Sequence, residues 1–92
     1  MHPKWIKHEN KDYENYIRKK PCLICGQEGV DLHHVWHARR NCYLSTPLCR
    51  GCHTARPDSY HAIEHKEFCE RHNINLEWEI IELLSEYIER NL

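Results

Sequence analysis

Two Cys-x-x-Cys pairs, Cys22/Cys25 and Cys49/Cys52, bracket a His33-His34 dipeptide, and His53 follows the last cysteine directly. Four thiolates in two such knuckles are the ligand set of a closed, tetrahedral structural Zn²⁺ site. A fold built on that clip brings the intervening and following histidines together, which is why this motif outweighs every other feature of the chain. The 92 residues are read as a single domain over 1–92. A chain this short buries a limited core, and a bound metal is a ready way to hold it folded.

The six cysteines also permit a disulfide framework. The chain opens Met1-His2-Pro3-Lys4 with no apolar signal segment, which argues against an oxidising compartment. With four of the six in Cys-x-x-Cys pairs, metal is the favoured reading. A redox role is disfavoured, since neither motif sits in a βαβ pattern. No apolar run approaches the roughly 18 residues of a membrane span, so the expectation is a soluble, cytoplasmic protein.

The formal net charge of -1 hides a division. Residues 1–56 carry ten Lys/Arg against five Asp/Glu, and residues 57–92 carry three against nine. A basic half that contains the metal motifs would meet a phosphate backbone while the acidic half faces away. The plainer alternative is an uneven split with no functional meaning.

Residues 9–20 read as a helix with Tyr13, Tyr16 and Ile17 on one stripe, stopped by Pro21. Residues 22–26 form a tight knuckle in which Gly26 is free to take a positive φ. Residues 30–35 are a short strand that places His33 and His34 on opposite faces. Residues 36–42 are an arginine-bearing loop, and 43–48 a returning strand whose Pro47 argues for an edge or an end. The second knuckle should lead into a helix carrying His53 in its first turn, reshaped at Arg56-Pro57-Asp58-Ser59. Residues 60–72 are helical again, with Ile63 and Phe68 as core candidates. The clearest helix is amphipathic and spans about 75–90, with Asn75 as N-cap and a stripe of Leu76, Ile80, Leu83, Leu84, Tyr87 and Ile88. That stripe suits core packing, and its spacing would also suit a dimer seam.

Taken together, these residues resemble the HNH endonucleases, whose ββα-metal core has a treble-clef-like zinc clip. The family pattern is a Cys-x-x-Cys knuckle, a hairpin strand with a metal ligand and then a histidine base, a second knuckle, and a ligand just after it. Here the matching elements are Cys22/Cys25, His33-His34, Cys49/Cys52 and His53, a motif core of about 21–72. The stretches PLCRGCH and HKEFCERHNI also look like the His-His branch found among phage and recombination-associated nucleases. The resemblance implies a small α+β fold: a zinc-stabilised ββα-metal core with N-terminal and C-terminal helices.

The resemblance also implies roles. His34 stands at the general-base position, and His33 and His53 at positions that bind a catalytic metal. His61 is the candidate third ligand, with His65 competing on what should be the same helix face. The chemistry agrees with these assignments. An imidazole with a pKa of about 6.5 takes a proton from water at neutral pH, and a divalent ion stabilises the phosphate charge and the leaving oxygen. Adjacent strand residues point opposite ways, so one histidine binding and one acting as base is the natural division.

Two departures from the family matter. The family usually has an aspartate where His33 stands, and an all-imidazole set suits Mn²⁺ or a later first-row ion (Co²⁺, Ni²⁺ or Zn²⁺) better than Mg²⁺. The family's middle asparagine would fall at Leu44, and Asn41, three residues earlier, is the substitute candidate for orienting His34.

Arg39, Arg40, Arg50 and Arg56 are candidate phosphate contacts, with a solvated loop the plainer reading of the first two. Trp36 is either a base-stacking side chain or half-buried core. Cys42 and Cys69 are read as small buried side chains, and His2, His8 and His72 as bystanders. The expected protein is therefore a metal-dependent endonuclease that nicks DNA one strand at a time with little sequence preference, as a monomer or weak dimer. The competing class is a non-catalytic zinc ribbon that binds nucleic acid or protein.

Overall fold

In the computed structural model, residues 8–37 and 40–92 are described, apart from the side chain of His37. The first helix, α1, spans Lys11–Arg18. The Asn10 side chain starts it by accepting a hydrogen bond from the Tyr13 N–H at 3.1 Å. Acidic Asp12 and Glu14 lie in its first turn and Arg18 in its last, the arrangement that the helix dipole favours. It is shorter than the expected 9–20 because Asn10 is extended and Lys19 already caps the C-terminus ahead of Pro21.

Strands β1 (Asp31–His34) and β2 (Ser45–Leu48) form a two-stranded antiparallel sheet with Asp31 opposite Leu48 and His33 opposite Thr46. Both strands are shorter than expected. After His34 the chain turns at 35–37, where Trp36 takes a left-handed φ of 56°. Before Ser45 the segment Cys42–Leu44 is a short 3-10 turn, started by the Asn41 side chain accepting from the Tyr43 N–H. Pro47 sits in β2 opposite Leu32, and its carbonyl accepts from the Leu23 N–H at 3.1 Å. That bond ties the first knuckle to the hairpin. Within the knuckle Gly26 has φ 76°, as the turn requires.

The chain beyond Cys49 departs most from expectation. Gly51–Ala55 is a single π-helical turn, closed by the Arg56 N–H on the Gly51 carbonyl. The predicted helix over 60–72 is replaced by turns followed by a shorter helix, α2, at His65–Arg71. Glu64 is extended (φ -72°, ψ 155°) and breaks the helix ahead of α2. The Tyr60 N–H donates to the Cys52 carbonyl (2.9 Å) and the His61 N–H to the His53 carbonyl (3.2 Å), which holds this segment against the π turn. His61 and His65 therefore do not share a helix face.

The last helix, α3, spans Leu76–Arg90, with Asn75 accepting from the Trp78 N–H at 3.0 Å. Leu76, Ile80 and Leu83 are buried, and Leu84 and Tyr87 pack partly. Ile88 leaves the expected stripe and is exposed, together with Trp78 and Ile81. The buried residues gather in two clusters. One holds Cys22, Val30, Val35, Leu48, Cys49, Cys52, Tyr60, Phe68, Leu76 and Ile80. The other centres on Tyr13, Tyr16, Ile17, Cys42 and Leu83. Leu84 touches both. The result is a small α+β fold, a two-stranded antiparallel sheet with helices packed on it. Among the described residues, no helix is long and apolar enough to cross a membrane.

Candidate functional site

The two knuckles bring Cys22, Cys25, Cys49 and Cys52 together, with all four Sγ atoms within 4.8 Å of one another and Cys25 and Cys49 at 3.5 Å. None is in a disulfide. Tetrahedral zinc with metal–sulfur bonds of about 2.3 Å places its sulfurs about 3.8 Å apart, so the four thiols are spaced to hold such an ion. Burial works against a thiolate at Cys22. The backbone N–H groups of Cys25, Cys49 and Ile24 outweigh it and bring the Cys22 pKa down to about 7. Burial, followed by the neighbouring sulfurs of Cys49 and Cys22, pushes Cys52 upward. The Arg56 Nη1 lies 3.6 Å from the Cys52 Sγ, a cation set against a group that becomes anionic with metal.

Beside this clip the hairpin and the π turn bring three histidines together. His33 is fully buried on β1, and its Nδ1 is 2.9 Å from the Oγ1 of Thr46, its partner across the sheet. His53 follows the last cysteine into the π turn, with its ring centroid 5.1 Å from that of His33. His61, drawn in by its backbone bond to His53, has its Nε2 3.0 Å from the His53 Nε2. Two nitrogens on one tetrahedral ion, at bonds of about 2.0–2.1 Å, stand about 3.3 Å apart. The His53–His61 pair matches that spacing, and without an ion one imidazole donates to the other. His33 is set further back, 6.2 Å from His61 between centroids, so this trio is more open than the cysteine clip.

Between the two candidates for the third position, the fold brings His61 and not His65 to His53. His65 turns away, its Nδ1 2.9 Å from the Tyr60 hydroxyl and its Nε2 3.1 Å from Glu77. His34 is half-buried on the opposite pleat face from His33, paired with Ser45 in the sheet register. Asn41 caps the 42–44 turn through its side chain. Arg40 is exposed, and its carbonyl accepts from the His8 N–H. Arg39 lies outside the described residues. Arg50 and Arg56 both have partners, Arg50 with Asp31 (3.1 Å) and Arg56 with Cys52. Trp36 is about half exposed. Of the expected bystanders, His72 is half-buried with its Nε2 3.0 Å from the Asp58 carbonyl, and His2 lies outside the described residues.

Asp31 is the main residue that sequence reasoning missed. Its Oδ2 is 3.2 Å from the His53 Nδ1 and 3.1 Å from the Arg50 Nε. Burial raises its pKa, but the contacts with His53 and Arg50 prevail and hold it below the usual aspartate range. A carboxylate behind one ring nitrogen fixes the tautomer that offers the other nitrogen to a metal. The signal was present as an acid two residues before the candidate ligand His33, on the same strand face. Tyr60, also missed, packs its ring 4.0 Å from that of His33. Cys69 was expected to be simply buried; it is half-buried, with its Sγ 3.8 Å from the His65 Nε2.

Comparison with models of known protein families, with curated proteins and with solved structures found no match to this chain.

Proposed function

We propose that the protein is a metal-dependent DNA endonuclease of the HNH type that hydrolyses one strand at a time. The observation that carries this reading is the His53–His61 pair of Nε2 atoms at 3.0 Å, backed by Asp31 and set beside the cysteine clip. His33, His53 and His61 would hold the catalytic ion. When bound, that ion supplies charge neutralisation on the phosphate and on the leaving oxygen. The Thr46 contact at Nδ1 leads His33 to meet an ion through Nε2, and Asp31 does the same for His53.

His34, facing the other way on β1, takes the proton from the attacking water. A donor set of imidazoles favours Mn²⁺, Co²⁺, Ni²⁺ or Zn²⁺ over Mg²⁺. Zinc in the cysteine clip is structural. The basic half of the chain contributes phosphate contacts without base readout. One active site nicks duplex DNA, and a double-strand break needs a dimer or two encounters.

A plasmid-nicking assay on wild type and His34→Ala, run across Mg²⁺, Mn²⁺, Co²⁺, Ni²⁺ and a chelator, tests the reading. The expected result is open-circle product before linear, strongest with the later ions and reduced about 10²–10⁴-fold in His34→Ala at unchanged zinc content. Absence of nicking with every metal, alongside retained zinc and DNA binding, would instead establish a non-catalytic zinc module.

A further inference from the structure

A second cluster of metal-ligand chemistry lies outside both sites described above, where α2 meets the start of α3. His65 and Cys69 are one helical turn apart on α2, and Glu77 sits in the first turn of α3. The His65 Nε2 is 3.1 and 3.3 Å from the two Glu77 oxygens and 3.8 Å from the Cys69 Sγ. One ligand atom from each of the three lies within 4.8 Å of the other two. On a tetrahedral ion with bonds of about 2.0–2.1 Å to nitrogen and oxygen and 2.3 Å to sulfur, N···O and N···S edges measure about 3.3 and 3.6 Å. The observed separations sit close to both.

We infer that His65, Cys69 and Glu77 form a binding site for a borderline first-row divalent cation such as Zn²⁺, Co²⁺ or Ni²⁺. One imidazole, one thiolate and one carboxylate make a donor set that Mg²⁺ and Ca²⁺ do not favour. The ring is held from behind: the His65 Nδ1 is 2.9 Å from the Tyr60 hydroxyl, which also accepts from the Trp36 N–H at 3.3 Å. Without metal, the Nε2–H donates to Glu77 and the Tyr60 hydroxyl donates to Nδ1. With metal, the proton moves to Nδ1, which then donates to the Tyr60 oxygen, and the Cys69 thiol releases its proton to solvent. The Tyr60 oxygen has two lone pairs and accepts from both Trp36 and His65.

Three protein ligands leave a fourth position open. The ligands line a shallow groove of about 330 Å³ shared with Lys66, Glu70, Ile74 and Asn75, so water or a small ligand has access to that position. The site joins α2 to α3 and does not depend on the nuclease reading.

Sulfur distinguishes this site from the histidine trio, which has none. Protein carrying one equivalent of Zn²⁺ in the cysteine clip is titrated with Co²⁺ while the near-ultraviolet sulfur-to-cobalt charge-transfer band is followed. The expected result is a saturable band that reaches its full height at one equivalent in His61→Ala, where the histidine trio no longer competes for Co²⁺. It should disappear in Cys69→Ser, require at least tenfold more Co²⁺ in Glu77→Gln, and keep the same final height in wild type and His61→Ala. Circular dichroism and zinc content confirm that each variant is folded. No band on the zinc-loaded protein would overturn the site, and so would a band that survives in Cys69→Ser, since that sulfur would come from the clip.

Discussion

The two buried clusters solve the problem of a small core in different ways. The cluster under the knuckles sets three candidate ligand cysteines, Cys22, Cys49 and Cys52, among Val30, Val35, Leu48, Tyr60, Phe68, Leu76 and Ile80. The cluster between α1 and α3 is aromatic. The Tyr13 ring lies 4.9–5.6 Å from those of Tyr16, Tyr43 and Tyr87, and several of the tyrosine hydroxyls end in polar partners at the surface. Aromatic faces and edges supply area and geometry without an ion. The half that carries the candidate chemistry holds four thiols spaced for a metal ion, and the half that braces it is packed with aromatic rings.

Removing the metal is the strongest way to break this contrast. Structural zinc contributes on the order of 10–16 kcal/mol in small finger peptides, against a total of about 5–15 kcal/mol for a whole domain. Chelation, or Cys52→Ser, is expected to abolish cooperative unfolding of the knuckle half. Hydrogen exchange should then show amides of residues 22–72 unprotected, with residual protection confined to α1 and α3. Uniform protection after chelation would mean that the clip is not what holds that half.

Next in size is Tyr13, fully buried at the centre of the aromatic cluster. Tyr13→Ala should cost about 3–5 kcal/mol in denaturant unfolding and leave zinc content intact. Tyr13→Phe sharpens the comparison. The Tyr13 hydroxyl is buried with no partner among the described residues, so its removal should be neutral or stabilising, within about 1 kcal/mol. A loss of 2 kcal/mol or more would reveal a bond that the cluster relies on.

The smallest effect concerns the rim of the same cluster, where Glu86 is bonded to both Lys20 and the Tyr16 hydroxyl. The Lys20 ammonium, and after it the Tyr16 hydroxyl, hold Glu86 below the usual glutamate range. A depressed carboxylate adds stability above its unfolded pKa, and that contribution is lost as pH falls through the folded value. Glu86→Gln should therefore lower the melting temperature slightly at pH 7, with the difference from wild type shrinking as pH falls below the ordinary glutamate pKa of about 4.3. A difference that grows on acidification would reverse the sign.

Most of what the sequence determined follows from local rules. The Cys-x-x-Cys spacing paired the thiols of each knuckle, Asn10 and Asn75 started α1 and α3, and strand alternation separated His33 from His34. Those outcomes depend on a few neighbouring residues and can be read without the rest of the chain. The residues that complete the candidate site are another matter. His61 lies beside His53 because its N–H bonds the His53 carbonyl, in a segment that extended Glu64 cuts off from the helix expected over 60–72. Asp31 lies behind His53 because the hairpin sets β1 alongside the second knuckle, and Glu77 comes within reach of His65 and Cys69 where α3 begins beside α2. Hydrogen bonds and contacts between elements decide which side chains share a site, and periodicity within one element does not encode them.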